Sequence, residues 1–196
     1  SFMQYPFKLD LRNVGEMVSG AIMVGILARR LYLLLQEKQM LAAELEAAKQ
    51  VQDLLLPGAD TATPGFVVES SYLPARQVGG DFYFVNALDE GRLLVVVGDV
   101  SGKGLRAAML VSVVVGILRT AHATSAAAVL KALNAGLVGH TGGGFVTACS
   151  LIFEASGSAT IANAGHCPVY RDGKEIEMQP NLPLGVVADS AFDEVT

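Results

Sequence analysis

Cysteine is scarce in this 196-residue chain: there are two, Cys149 and Cys167, well separated. A secreted disulfide scaffold needs more of them, and a zinc site needs more soft ligands at tighter spacing. Both are read as reduced thiols. His122, His140 and His166 form neither an HxxxH nor an HExxH spacing, which excludes a histidine-built zinc site of that kind. Basic charge is also short, with 14 Lys and Arg against 19 Asp and Glu. No cationic surface for a phosphate backbone follows, and no nucleic-acid partner is expected. Any phosphorylated ligand must be gripped at a local site. The stretch Gly102-Lys103-Gly104 lacks the Ser or Thr that a GxxxxGK[ST] phosphate loop requires after its lysine, so a nucleotide-binding loop is rejected.

What is present is a chain of 52% hydrophobic residues, enough for one domain with a real core plus an appended segment. Residues 1–26 form an N-terminal tract. Within it, Val14 to Leu27 is apolar apart from Glu16 and Ser19, and Arg29-Arg30 follow. That is shorter than the roughly 20 residues of a membrane span, though basic flanks of this kind accompany spans. The tract is read as the end of a transmembrane helix or as a helical interaction segment. Residues 27–57 carry an unbroken heptad. Leu27, Leu34, Leu41, Ala48 and Leu55 fall at d, with Leu31, Lys38, Leu45 and Gln52 at a. A dimerising coiled-coil helix is expected, the alternative being an amphipathic helix lying on its own domain. Pro57-Gly58 ends it, and residues 58–65 read as a linker.

From residue 66 to residue 196 the pattern changes to short strands. Phe66–Tyr72 and Phe82–Leu88 read as strands, and Arg92–Gly98 as a strand buried on both faces. Leu105–Ala123 and Ser125–Val138 read as helices, the second with Ser125 as its N-cap. Phe145–Phe153, Ala159–Ala164 and Val169–Arg171 follow as strands, and Asp172-Gly173 predicts a hairpin turn before Lys174–Met178. Strands, then two helices, then more strands predict an α+β domain rather than a doubly wound parallel sheet.

Two aspartates stand out by context. Asp81 follows Gly79-Gly80 and precedes Phe82-Tyr83-Phe84; Asp99 follows Gly98 at the end of an apolar run and leads into Val100-Ser101-Gly102. A carboxylate at the end of a buried strand stays ionised only with a cation or several hydrogen bonds. Two such groups on neighbouring strands repel unless a hard divalent ion lies between them. Oxygen donors with glycine-freed backbone suit magnesium or manganese. The plainer alternative is that each aspartate caps a turn, and spacing alone does not decide between the two.

The ordered motifs decide more. Arg76-Gln77-Val78-Gly79-Gly80-Asp81-Phe82-Tyr83, Gly98-Asp99-Val100-Ser101-Gly102-Lys103-Gly104 with Ala107-Ala108-Met109, Phe145-Val146-Thr147-Ala148, Ala162-Asn163-Ala164-Gly165-His166 and Leu182-Pro183-Leu184-Gly185 resemble the SpoIIE/RsbU branch of PPM-type serine/threonine phosphatases. The Gln50–Pro57 entry helix resembles it too. The resemblance implies a four-layer α/β/β/α sandwich of antiparallel sheets with two Mn2+ or Mg2+ ions at one end. It implies Asp81 and Asp99 as metal ligands and catalytic residues, with Val100 lending a backbone carbonyl. A water acidified by the two cations would then attack a phosphoserine or phosphothreonine phosphorus. No Cys-x5-Arg nucleophile motif is present, in keeping with that route.

Arg76 is placed to grip phosphate oxygens bidentately, or is an ordinary surface arginine. Asn163 and His166 are read as a turn with a locally bonded histidine rather than as a catalytic pair. The resemblance further implies a phosphorylated regulatory protein of the anti-sigma-factor-antagonist type as substrate. A cytoplasmic domain is expected, with the apolar N-terminal tract as a membrane tether and the heptad helix as a homodimer contact. The family's DG and DD aspartates are not found before Thr196. Asp189 and Asp193 stand in the wrong context to replace them, so this stretch alone is expected to be weakly active or inactive. The reading of a different class is a non-catalytic signalling module, a pseudophosphatase.

Overall fold

The computed structural model describes residues 11–55, 65–72 and 79–196, with side chains described from Val14 to Gln50 in the first segment. The chain divides into two units, Ser1–Glu44 and Leu45–Thr196. In the first, helix α1 begins; it runs without a break from Leu11 to Leu55. Every described residue from Val14 to Glu44 is exposed. The heptad leucines Leu27, Leu31, Leu34 and Leu41 are 55–59% exposed, and Leu33, Leu35 and Met40 off the seam are equally open. Val14–Gln50 is long and apolar enough to cross a membrane by length and composition, an 18-residue window within it having a mean hydropathy of 1.7.

The second unit holds a five-stranded, wholly antiparallel sheet in the order β1-β2-β3-β4-β7: Asp81–Ala87, Leu93–Val100, Val146–Phe153, Ala159–Ala164 and Glu194–Val195. Helices α2 (Leu105–Thr120) and α3 (Ala126–Leu137) sit between β2 and β3 in the chain. The strands alternate as a half-covered sheet must. Leu94, Val96 and Val100 of β2 and Ala148 and Ile152 of β3 are buried in one cluster with Val111, Val114 and Leu118 of α2 and Leu130, Leu133 and Leu137 of α3. The alanines Ala148, Ala162 and Ala164 give the helices close access to β3 and β4. On the other face Val95, Val97, Leu151 and Phe153 are half-exposed.

The α+β class, the antiparallel sheet and the long leading helix are as expected. Of the four layers, the described residues supply one helical layer and one five-stranded sheet, with the small hairpin β5–β6 (Tyr170–Arg171, Lys174–Glu175) as a separate sheet. The Ser125 cap is present, its hydroxyl accepting from the Ala128 N–H at 3.2 Å. Asp172 and Gly173 take φ of 52° and 76°, the two positive values a type I′ hairpin turn demands.

Several boundaries differ from the sequence reading, among them β2, which runs on through Asp99 to Val100, and β6, which ends at Glu175 rather than Met178. Residues 67–72 are assigned to no strand; at the ends of the segment Phe66 meets Phe153 at 6.0 Å and Tyr72 meets Tyr83 at 6.5 Å. Helix α2 stops at Thr120 because Ala121 turns to extended backbone (φ −68°, ψ 133°). Apart from Gly65, the expected linker lies outside the described residues.

The Leu182–Gly185 motif acts as a strap over α3. Leu184 bridges to Val146 and is fully buried. Buried Asn134 of α3 accepts from the Gly185 N–H at 2.8 Å and donates to the Val187 and Ala188 carbonyls. All of this fixes the start of β3, beside the end of β2.

Candidate functional site

Strand register builds the site. β1 and β2 pair so that Asp81 lies directly opposite Asp99, and Asp99 in turn lies opposite Thr147 on β3. Both carboxylates are on the sheet face away from the helices, at the end of the sheet where β2 passes into α2. The Val100 N–H donates to the Gly80 carbonyl at 3.0 Å, closing the pair above Asp81.

Glycine is required here for space. A Cβ on Gly80 would strike the Val100 carbonyl oxygen and come within 2.8 Å of the Asp99 Oδ1. One on Gly98 would strike the Phe82 ring and the Thr147 carbonyl oxygen. Gly104 is required for conformation: it precedes α2 at φ 72°, ψ −153°, a region open only to glycine. Ser101 ties the turn down, its N–H donating to the Phe145 carbonyl (2.9 Å) and its hydroxyl accepting from the Phe145 N–H (2.8 Å). Arg106 latches the glycine loop with bonds to the Thr141 and Gly142 carbonyls.

Burial, and after it the negative charge of Asp81, pushes the Asp99 carboxyl above the ordinary carboxylate range; His166 and a backbone hydrogen bond at Val100 oppose the rise. Two carboxylates with this much mutual repulsion favour a cation between them. The available donors, Asp81, Asp99 and the Val100 carbonyl, are all oxygens, the set that hard divalent ions accept. The residues fit such an ion. Among the described residues no group of three or more His, Cys, Asp and Glu side chains gathers around it.

His166 is bonded as the sequence reading expects and makes one contact beyond its turn. Its local bonding is as expected: the backbone N–H donates to Asn163 Oδ1 at 2.7 Å, and Asn163 Nδ2 donates to the His166 and Cys167 carbonyls. The ring, however, reaches across to β3, with Nδ1 3.0 Å from Thr147 Oγ1. The Thr147 hydroxyl also lies 3.5 Å from the Asp99 carbonyl oxygen, so one side chain links the histidine ring to the backbone of Asp99. Burial lowers the imidazole pKa, while Asp99 and then Asp81 pull it back. Arg76 lies outside the described residues. Asp189 and Asp193 are exposed, on the stretch that straps α3.

The model of the family described as "Stage II sporulation protein E (SpoIIE)" matches residues 89–196, more than half of the chain and the part that carries Asp99, Val100 and His166. The chain belongs to the SpoIIE family. Its resemblance to the SpoIIE/RsbU-type PPM phosphatases is thereby a family relationship. Protein IcfG of a Synechocystis strain is 37% identical over 76 residues, 39% of this chain and 12% of that protein. The SiaA-PP2C domain of Pseudomonas aeruginosa shares the fold at a TM-score of 0.60 and 19% identity, over 81% of this chain and 67% of that one. The RsbU and RsbW domains of Rv1364c from Mycobacterium tuberculosis align at a TM-score of 0.48 and 26% identity, over 62% of this chain and 36% of that one. This SpoIIE-family chain thus spans a minor part of some of its relatives.

Proposed function

We propose that the chain is the catalytic part of a divalent-metal-dependent protein phosphatase that acts on phosphoserine or phosphothreonine of a regulatory protein, of the anti-sigma-factor-antagonist type. The observation that carries the proposal is the register pairing of Asp81 with Asp99, next to a Val100 carbonyl that only a glycine at position 80 leaves open. Family membership supplies the reaction class. Asp81, Asp99 and the Val100 carbonyl would hold Mn2+ or Mg2+, two ions by the family pattern. When bound, such ions supply the positive charge and the acidified water that in-line hydrolysis of a phosphate ester needs. The chain's own residues do the rest. The paired carboxylates gather the charge, and Thr147, held by His166, steadies the backbone of Asp99. Arg76 would take the phosphate oxygens in its planar fork.

The test is manganese- or magnesium-dependent release of phosphate from p-nitrophenyl phosphate and from a phosphoserine protein, assayed in protein carrying the family's DG and DD aspartates. Release that EDTA abolishes is expected; none with either ion would end the reading. With only two side-chain carboxylates to share the cations, the 196-residue stretch by itself is expected to work weakly or not at all. Arg76→Ala is expected to raise KM for the phosphoprotein about tenfold, with a smaller effect on metal affinity, given the worth of a charge-assisted pair. Unchanged kinetics would remove that role.

The non-catalytic reading draws on the absence of a three-ligand cluster among the described residues. Isothermal titration with Mn2+ separates the two, since a pseudophosphatase domain would take up none.

The exposed heptad leucines Leu27, Leu31, Leu34 and Leu41 support a homodimer through this helix, and its apolar first half supports a tether at the cytoplasmic face of a membrane. Cysteines placed at Leu34 and Leu41 are expected to cross-link between copies in vesicles. Monomeric behaviour there would contradict the dimer.

A further inference from the structure

We propose that Asn163 and His166 are positioning residues of the acid pair: from the end of β4, and through Thr147, they hold the backbone of Asp99 where a shared cation needs it. The proposal rests on the phosphatase reading above and adds to it a support that lies outside the ion's own ligands.

The need arises where the sheet runs out. β4 ends at Ala164, and its ladder with β3 stops at Ala148, one residue short of Thr147. Thr147 is the residue opposite Asp99 in the register of β2 with β3. At the level of the acid pair, therefore, β3 has a ladder partner in β2 and none in β4. A strand end secured on one side only opens more readily than the interior of a sheet.

The side chain of His166 takes the place of the missing rung. Its Nδ1 is 3.0 Å from Thr147 Oγ1, and the same hydroxyl lies 3.5 Å from the Asp99 carbonyl oxygen. One hydroxyl thus stands between the imidazole on β4's side and the backbone of Asp99 on β2's.

The imidazole is itself held. Asn163 Oδ1 accepts from the His166 N–H at 2.7 Å, and Asn163 Nδ2 donates to the His166 and Cys167 carbonyls at 3.2 and 3.3 Å. The Asn163 carbonyl in turn accepts from Asn181 Nδ2 at 3.2 Å. Between Asn163 and His166, Gly165 takes φ 69°, and a Cβ there would press on Pro183 at 3.1 Å, so the turn has little room to shift. Both polar ends of one asparagine are engaged in fixing the residue that carries the ring. A group that orients metal ligands from outside changes metal affinity by about ten- to a hundredfold. Because the contact with Asp99 is long, the lower end is expected here.

The experiment is isothermal titration of Mn2+ into protein bearing the DG and DD aspartates, beside turnover of p-nitrophenyl phosphate and thermal melts in EDTA. His166→Asn keeps a polar atom where Nδ1 stands, whereas His166→Gln puts it where Nε2 stands, away from Thr147. Thr147→Val keeps the shape and removes the hydroxyl. His166→Gln, Thr147→Val and Asn163→Ala are each expected to weaken Mn2+ binding about tenfold, and His166→Asn by no more than about twofold. Thr147→Val combined with His166→Gln is expected to bind no more weakly than either alone, since both break one chain. At saturating Mn2+ the turnover of all these variants returns to within about threefold of the wild type, a recovery that a merely damaged fold would not give. Equal affinity for His166→Asn and His166→Gln overturns the proposal. So does additivity in the double variant, or a lower melting temperature in EDTA with Mn2+ affinity unchanged. If the histidine variants do not fold, Thr147→Val decides alone. A wild type that neither takes up Mn2+ nor releases phosphate would instead overturn the phosphatase reading underneath.

Discussion

Asp99→Asn is expected to lower metal-dependent phosphate release by about a thousandfold or more, since a cation's stabilisation of a phosphoryl transition state is worth several kcal/mol. The same change is expected to make the metal-free protein slightly more stable. The sign follows from the environment. Burial and Asp81 raise the Asp99 pKa in the fold, so ionising it costs stability. That cost is absent below the ordinary carboxylate pKa and fully present above the raised one, which includes neutral pH. An amide removes it. Because the group is largely solvent-exposed, the gain is small, about one or two degrees in Tm in EDTA. With Mn2+ present the order reverses, because the wild type alone gains stability from the ion. Metal retention should likewise weaken on acidification at a pH above the usual carboxylate range. Thermal melts with and without Mn2+, beside phosphate-release assays, check all three. A variant that is inactive and also less stable in EDTA would mean that Asp99 serves the fold and not an ion.

Gly98→Ala is expected to destabilise the domain by about 3 kcal/mol, the upper end of ordinary overpacking. The added methyl meets the Phe82 ring on one side and the Thr147 carbonyl on the other, and the carbonyl belongs to a paired strand that cannot swing away. Gly116→Ala makes the contrast. It sits exposed in α2 with nothing within 4 Å of a Cβ. There the change is expected to add about 1 kcal/mol through helix propensity. Urea melts of the two variants measure the difference, and equal midpoints would contradict the packing argument.

What was legible in the sequence was mostly local. The Ser125 cap, the Asp172-Gly173 turn and the bounds of β4 depend on residues a few positions apart, so a linear reading finds them. Asp81 and Asp99 were legible because a glycine before an aspartate at a strand end is a pattern in itself, and family likeness ordered the two. The purpose of Gly98 was not legible: the Phe82 ring belongs to the strand on one side and the Thr147 carbonyl to the strand on the other. His166 was read as a turn residue because its backbone is one. Its ring bond to Thr147 appears only once β3 and β4 are laid side by side. The segment after Phe66 reads as a strand by composition, yet residues 67–72 belong to no strand, and ring contacts of Phe66 and Tyr72 flank them. Arg76 lies outside the described residues and remains a proposal from the sequence.

The acid pair belongs to the weave of the sheet, with no loop between Asp99 and the core. From Leu94 to Asp99 the strand counts alternately inward and outward, and that parity alone turns the carboxylate to the open face. Removing any single residue between Leu94 and Gly98 would rotate Asp99 into the valines beneath α2, where an ionised oxygen has no solvent. Lengthening the turn at Asp89–Gly91 would leave it untouched. Descent with insertions and deletions is thus free to remodel the rim of this domain, while the interior of β2 tolerates substitution but not a change of length by one.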